Sequence, residues 1–359
     1  MSTRRRTHGG IAARGGPADA ARCLRQVNHL LRAVTSAWLI AACTSASPAP
    51  APPPAPVPAP PTPVVSTPSN APPTLPREGK ISVGAAGELW YRVVGAGADT
   101  VIVPLGAYLG EALAPLGRER TLLFYDPWRR GRSDPFTDTT LSRFDADVSD
   151  LEAVRAALGV SRAAIVGFSY YGAVAAAYAA RHPDRVSRLV LVSPIEPNDS
   201  LAAGYNPAER MTRIDTTRAR AMLKRRAAGA DTVDPSGYCL EYWRVNAPLF
   251  VGDSARAERI TPTWCELANE SPRYLADHLR RSLASLGTTE LMSVAPRITA
   301  PTLIVQGDRD YVVNPAGAAA WARAMSNARV VTVRGAGHFA FIEDPQGVLR
   351  AIEQFLSGR

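Results

Sequence analysis

Cysteine is scarce in this chain of 359 residues: there are four, Cys23, Cys43, Cys239 and Cys265. No residues fall at metal-ligand spacing and no glycine-rich phosphate loop is present, so no metal or other cofactor is expected. A strong charge of one sign is lacking too, once the net +9 is divided along the chain. Seven arginines against one aspartate in residues 1–42 hold +6 of it, which leaves +3 for the rest. That is mild for the size, and no nucleic-acid partner is expected. A membrane-spanning run is missing from the N-terminal region: residues 33–42 are uncharged but number only ten, about half of the ~20 that a spanning helix needs. The remainder is ordinary for a soluble globular protein, with 46% hydrophobic and 20% charged residues.

Proline is what the chain has in excess. Of its 31 prolines, fourteen lie between Pro48 and Pro76. Residues 44–79 are rich in Ala, Pro, Ser and Thr and hold almost no large apolar side chain, so they cannot bury a core and are expected to stay extended. At ~3.1 Å per residue they reach on the order of 100 Å. Ahead of them, Arg22, Arg25 and Arg32 precede the uncharged run 33–42, the order of a secretory signal. Its end, Leu39-Ile40-Ala41-Ala42-Cys43, resembles the lipobox of bacterial lipoproteins. The resemblance implies a signal peptide over 1–42, lipidation of Cys43, and a tether over 43–79 on an exported protein at the periplasmic or cell-surface side of a membrane. An ordinary secretory signal is the other reading, and a proline-rich ligand segment is the other reading of the tether. In an exported chain Cys239 and Cys265 remain as a pair, expected to form a disulfide, with two separate buried thiols as the alternative.

From residue 80 onward the pattern changes. Lys80–Val83 and Glu88–Val94 read as two short strands joined by a glycine turn. Thr100–Leu105, Arg120–Asp126, Ala163–Phe168, Val186–Val192, Thr302–Val305 and Arg329–Val333 follow as further strands, most of them apolar throughout. Phe144, Val148, Leu151, Val154 and Leu158 recur at helical spacing and stop at Gly159. An Ala-rich helix runs to about Arg181, and others are expected near 315–326 and at the C-terminus. Such alternation predicts an α/β fold with a mainly parallel sheet covered on both faces. Residues 197–296 break it. They contain no apolar strand and are too long for a loop, so they read as an inserted helical cap, with helices expected at 207–228 and 273–286.

Three features stand at strand ends, where the chemistry of such sheets lies. Gly167-Phe168-Ser169-Tyr170-Tyr171-Gly172 places a serine at a strand-to-helix turn. Gly307-Asp308-Arg309-Asp310 follows one later strand, and Gly335-Ala336-Gly337-His338 follows the last. A serine hydroxyl is a poor nucleophile until an imidazole takes its proton, and the imidazole needs a carboxylate to fix its tautomer. Serine, acid, histidine is also the chain order of one known arrangement. Asp126-Pro-Trp-Arg-Arg-Gly-Arg-Ser133 and Gly335-Ala-Gly-His-Phe-Ala-Phe-Ile-Glu-Asp-Pro345 complete a pattern that resembles the α/β-hydrolases with a helical cap, over residues 80–359.

That resemblance implies a serine hydrolase that cleaves an ester or amide bond, with Ser169 as nucleophile, His338 as base and Asp310, rather than Asp308, as acid. It carries the oxyanion donors over onto the backbone N–H groups of Tyr170 and Ala107. Glu196 is a fallback acid. The layout is similar to proline iminopeptidase-like hydrolases, whose caps hold a substrate amine with acidic residues; Glu241, Glu266 and Glu270 are the candidates here, or a solvated face. Tyr171 and Phe339 either line the substrate pocket or pack. Tyr171 also stands where the family has a small residue, and the family's His-Gly loop is replaced by Leu105-Gly106-Ala107. The expected partner is a small-molecule ester or a short peptide, with an esterase and an aminopeptidase as rivals. A non-catalytic binding protein on the same scaffold is the reading from another class.

Overall fold

The computed structural model describes residues 76–358 apart from 84–86, 136–137, 199–200, 202–204, 206, 268 and 287–289. The signal, the lipidation site at Cys43 and nearly all of the tether lie outside these residues, as does the tip of the expected glycine turn. Eight strands form one sheet: β1 (Glu78–Ser82), β2 (Glu88–Val94), β3 (Thr100–Pro104), β4 (Thr121–Tyr125), β5 (Ala163–Phe168), β6 (Val186–Val192), β7 (Thr302–Gly307) and β8 (Ala328–Val333). Their order across the sheet is β1-β2-β4-β3-β5-β6-β7-β8. β1 and β2 pair antiparallel, as do β2 and β4, and every later pair is parallel. β5, β6 and β7 therefore occupy the interior, which is why their residues are apolar on both faces.

The sheet takes in residues that the composition assigns to the tether. Glu78 and Gly79 pair with Arg92 and Tyr91, and the Tyr91 hydroxyl donates to the Pro76 carbonyl at 3.0 Å. Strand pairing uses backbone groups, so these residues join the sheet without apolar side chains.

The helices are α1 (Gly106–Leu113), α2 (Phe144–Ala157), α3 (Tyr170–Arg181), α4 (Thr216–Ala227), α5 (Pro235–Phe250), α6 (Pro272–Ala284), α7 (Ala316–Ala324) and α8 (Pro345–Leu356), with shorter turns between them. α3 follows the serine and is buried from Tyr170 to Ala179. Its alanines suit a helix enclosed on all sides, since small side chains let the sheet approach closely. α1 occupies residues expected to be a loop. It follows Leu105, held left-handed at φ 64°, and its two glycines hide it from a periodicity search.

Between β6 and β7 the described residues form helices and turns and no strand. The single helix expected over 207–228 is two, Pro207–Thr212 and α4, because the Asp215 carboxylate caps α4 by accepting from the Thr217 and Arg218 N–H groups at 3.0 Å. A disulfide joins Cys239 of α5 to Cys265, with Cα atoms 5.5 Å apart. No helix among the described residues is long and apolar enough to cross a membrane.

Candidate active site

Ser169 follows β5 with φ 53° and ψ −124°, a conformation sparsely populated by residues with a side chain. Three backbone bonds hold it: its N–H donates to Val192 O at 2.9 Å, and its carbonyl accepts from Gly172 at 2.9 Å and Ile195 at 3.3 Å. The turn closes tightly before the serine, where a Cβ on Gly167 would lie 2.4 Å from the Tyr171 carbonyl oxygen. After the serine the packing is looser, and a Cβ on Gly172 would meet Pro194 at 3.1 Å.

Tyr171 does not line a pocket. Its ring is 2% exposed and lies edge-on to Tyr170, with its hydroxyl 3.4 Å from His278 Nε2 on α6. It packs where α3 meets α6, so a large residue is accommodated away from the tight side of the elbow. Tyr170 donates its hydroxyl to Asp147 Oδ2 on α2 at 2.6 Å, and His278 Nε2 lies 3.2 Å from the same oxygen.

The three strand-end residues meet in one line. His338 Nε2 lies 3.0 Å from Ser169 Oγ, and His338 Nδ1 lies 2.9 Å from Asp310 Oδ2. Both partners of the serine are buried, His338 at 2% exposure and Asp310 at 0%, while Ser169 is half-buried. Asp310 accepts four donors: Gln306 Nε2 at 3.0 Å and His338 on one oxygen, and the Val312 and Val313 N–H groups at 2.8 and 3.0 Å on the other. A carboxylate so placed accepts the Nδ1 proton and leaves Nε2 as the acceptor for the serine hydroxyl. Asp308 is turned away and accepts from the Gly335 N–H at 2.7 Å. Glu196 binds the Asn314 N–H rather than His338, and burial pushes its carboxyl above the usual range.

Two residues that shape this line were given no role by the sequence, although one of them lies within the Gly335–Pro345 run. The Ser193 hydroxyl donates to the His338 carbonyl at 3.1 Å. Glu343, buried within the Phe-Ile-Glu-Asp-Pro run, accepts from the Gly337 N–H at 2.6 Å and from the Gly252 N–H at 2.9 Å. It thereby ties the histidine loop to the inserted segment. A Cβ on Gly337 would come within 2.5 Å of Val251, so this junction needs glycine. The His338 ring rests against Phe168, with centroids 4.9 Å apart, and against Phe250 at 5.8 Å.

Ala107 departs from its expected role. Its N–H donates to Asp126 Oδ1 at 2.7 Å and so is not presented to a substrate oxygen in this geometry. Asp126 is wholly buried and also takes the Arg132 N–H, at 3.0 Å, on its other oxygen. Burial pushes its carboxyl up to about 6, with the two N–H donors and the Arg132 charge pulling the other way.

The three acidic candidates for amine binding go to different partners. Glu270 is saturated: Oε1 accepts from Arg130 Nε at 2.9 Å and Gly131 N–H at 2.8 Å, and Oε2 from Arg130 Nη2 at 3.1 Å and the Tyr108 hydroxyl at 3.0 Å. Four donors fill four lone-pair positions. Glu241 on α5 pairs with Arg225 on α4, and Glu266 is exposed. Phe339 packs, 1% exposed, among Phe250, Trp243 and Phe168 with centroids 5.0, 5.6 and 5.7 Å away. Trp264, beside the disulfide, stacks on Tyr108 of α1 at 4.3 Å.

A mainly parallel sheet with a strained serine elbow at the end of a central strand is the architecture of an α/β hydrolase. The chain belongs to that family: the model of the alpha/beta hydrolase fold matches residues 105–345. A proline iminopeptidase of Heyndrickxia coagulans is 37% identical over 82 residues, 23% of this chain and 28% of that one. A pimeloyl-[acyl-carrier protein] methyl ester esterase of Chromobacterium violaceum is 29% identical over 221 residues, 60% of this chain and 78% of that one. Among solved structures, a bromoperoxidase from Bacillus anthracis superposes with a TM-score of 0.59 at 20% identity, over 78% of this chain and 99% of that one. That last likeness speaks to the fold alone.

Proposed function

We propose that this hydrolase is a serine hydrolase that cleaves an ester through an acyl-enzyme on Ser169. The observation that carries the reading is the hydrogen-bonded line from Ser169 Oγ through His338 to Asp310. His338 Nε2 takes the hydroxyl proton as Ser169 Oγ bonds to the acyl carbon, then gives it to the departing alcohol. Water repeats the sequence in reverse order and frees the acid. Asp310, fixed by four donors, holds the imidazole in the tautomer this needs. The Tyr170 N–H, next after the serine, is the oxyanion donor. Ala107 serves as a second donor only when its N–H leaves Asp126.

Ester is favoured over a free-amine peptide because Glu270, the one fully buried acid of the three candidates, has no lone pair left for a substrate ammonium. A fluorophosphonate probe should label the wild-type chain and not Ser169→Ala. No labelling of the folded wild type would sink the nucleophile assignment. Turnover of short-chain aryl esters should exceed that of amino-acyl arylamides, and a strict need for a free amine would reverse the choice of substrate. We propose that the protein sits on the periplasmic or cell-surface side of a membrane, held by acylated Cys43. Cys43→Ala should then move it from the membrane to the soluble fraction, and unchanged partitioning would refute the anchor.

A further inference from the structure

Helix α4 carries a charge that the rest of the fold does not balance. Its 12 residues hold Arg218, Arg220, Lys224, Arg225 and Arg226 and no acid, a charge of +5. All residues from 43 onward sum to +3, so the remainder of that region is slightly acidic. The helix lies on the outside of the inserted segment. Its inner side is held by Met222, 4% exposed, which packs with Tyr238 and Val245 of α5. Its exposed residues are the cations Arg218, Arg220, Lys224 and Arg225, with only Thr217, Ala221 and Ala227 among them. At about 3.6 residues per turn these fall on one half of the cylinder, along roughly 18 Å.

Helix stability accounts for only part of this row. Cations in the last turn suit the helix dipole, and Lys224, Arg225 and Arg226 stand there. Arg226 is turned inward to Asp231 at 3.4 Å, and Arg225 pairs with Glu241. Arg218 lies 3.4 Å from Asp215, an exposed pair that contributes little in water. Arg220 and Lys224 meet no acid among the described residues. They stand one turn apart on the exposed face, where like charges repel and weaken a helix. An anionic surface laid against the row would offset that cost. After the turn at Gly229, just beyond the helix, Val233 is 87% exposed and offers an apolar contact beside the cations.

We propose that the exposed face of α4, with Val233 beyond its C-terminus, docks on an anionic phospholipid membrane. Cations along one side of a helix, next to an apolar contact, are the composition of a segment that lies on a charged membrane. The row has no aromatic side chain to stack on a base, which speaks against a nucleic-acid strand. Its small Thr and Ala residues leave the cations free to spread over headgroups. Each cation that reaches such a surface raises partitioning roughly fivefold. Neither Ser169 nor acylation of Cys43 takes part in this contact.

Lys224 makes the contact measurable, because the chain has only one other lysine, Lys80 on β1. The full chain is treated with an amine-reactive acetylating reagent, and both lysines are followed by peptide mass spectrometry. Vesicles of equal parts phosphatidylglycerol and phosphatidylcholine should slow acetylation of Lys224 roughly fivefold or more relative to phosphatidylcholine alone, and leave Lys80 unchanged. Arg218→Gln with Arg220→Gln, both at exposed positions, should raise the lipid needed for half protection roughly 25-fold. A urea midpoint no lower than that of the wild type shows that this variant folds. Attachment of the N-terminal segment to a vesicle would not by itself shield Lys224, so docking is told apart from anchoring. Equal acetylation of Lys224 with both vesicles, equal protection of Lys80, or protection unchanged in the double variant overturns the surface. Protection by a DNA duplex and not by the anionic vesicles overturns it in favour of a nucleic acid.

Discussion

Asp310 and Glu196 are two buried or half-buried acids near one histidine, and only their partners tell them apart. Asp310 Oδ2 faces Nδ1 of His338, while Glu196 is spent on Asn314. Asp310→Asn should therefore lower turnover of an aryl ester on the order of 10⁴-fold, because the amide favours the wrong tautomer. Glu196→Gln should leave turnover within a few-fold, and the contrast is read directly from kcat. Tyr171 invites the opposite substitution, toward the small residue that its family prefers. Its ring is 2% exposed and buried against Tyr170 and His278. Tyr171→Ala should thus cost about 3–5 kcal/mol of stability, measured by urea unfolding, although it brings the sequence closer to the family pattern. The tight contact in this elbow is made by Gly167, which the family pattern also contains.

At the scale of elements, α2 carries an acid with an unusual cost. Asp150 is pushed up to about 8, first by burial and then by the charge of Asp147 one turn earlier, with a hydrogen bond from Trp128 pulling back. Its folded value lies above its unfolded one, so the folded state holds a proton that the unfolded chain releases. The stability this gives is complete below about pH 4 and is lost as the pH rises toward 8. Urea midpoints of wild type and Asp150→Asn should diverge between pH 5 and 9, with the variant, which needs no proton, losing less. Parallel curves would refute the shift. Helix starts show how local chemistry becomes readable. Asp234-Pro235-Ser236-Gly237 and Asp344-Pro345-Gln346-Gly347 open α5 and α8 in the same way, the aspartate accepting the glycine N–H at 2.9 Å in both. The pattern in the first was available to find α5, since Asp at the cap and Pro at the first position is a start signal.

At the scale of the molecule, the inserted segment is fastened to the sheet domain by a buried ion pair. Arg130 and Glu270 are 4% and 2% exposed at their side chains, and Tyr108 and Gly131 complete the acid's shell. Glu270→Ala would leave the Arg130 charge buried without a partner, at an expected cost of about 3–5 kcal/mol. Arg130→Met with Glu270→Leu should restore most of it, since the desolvation of both charges is then avoided. Thermal unfolding of the single and double variants decides this. Equal losses would mean that packing, and not the charge, holds the insertion down.

The sequence by itself determined the order of the strands along the chain, the helical character of the insertion and the strand ends at which Ser169, Asp308, Asp310 and His338 stand; the resemblance to a family chose between the two aspartates, and the structure brings Asp310 to His338. The strands, the helices and the strand-end residues are written in local terms: an apolar run, a periodicity, or a residue type at a strand end in a fixed order. The tertiary structure alone decided which donors are free. Ala107 was carried over from the family resemblance as a donor, but Asp126, nineteen residues on, has taken its N–H. Glu270 was chosen for its charge, but Arg130 has filled its lone pairs from 140 residues away. Ser193, outside every motif, and Glu343, within one but with no role read from it, hold the histidine loop through bonds to its backbone. Hydrogen-bond capacity is spent across the fold, between segments far apart in the chain, and a sequence names the donors and acceptors without saying which have met.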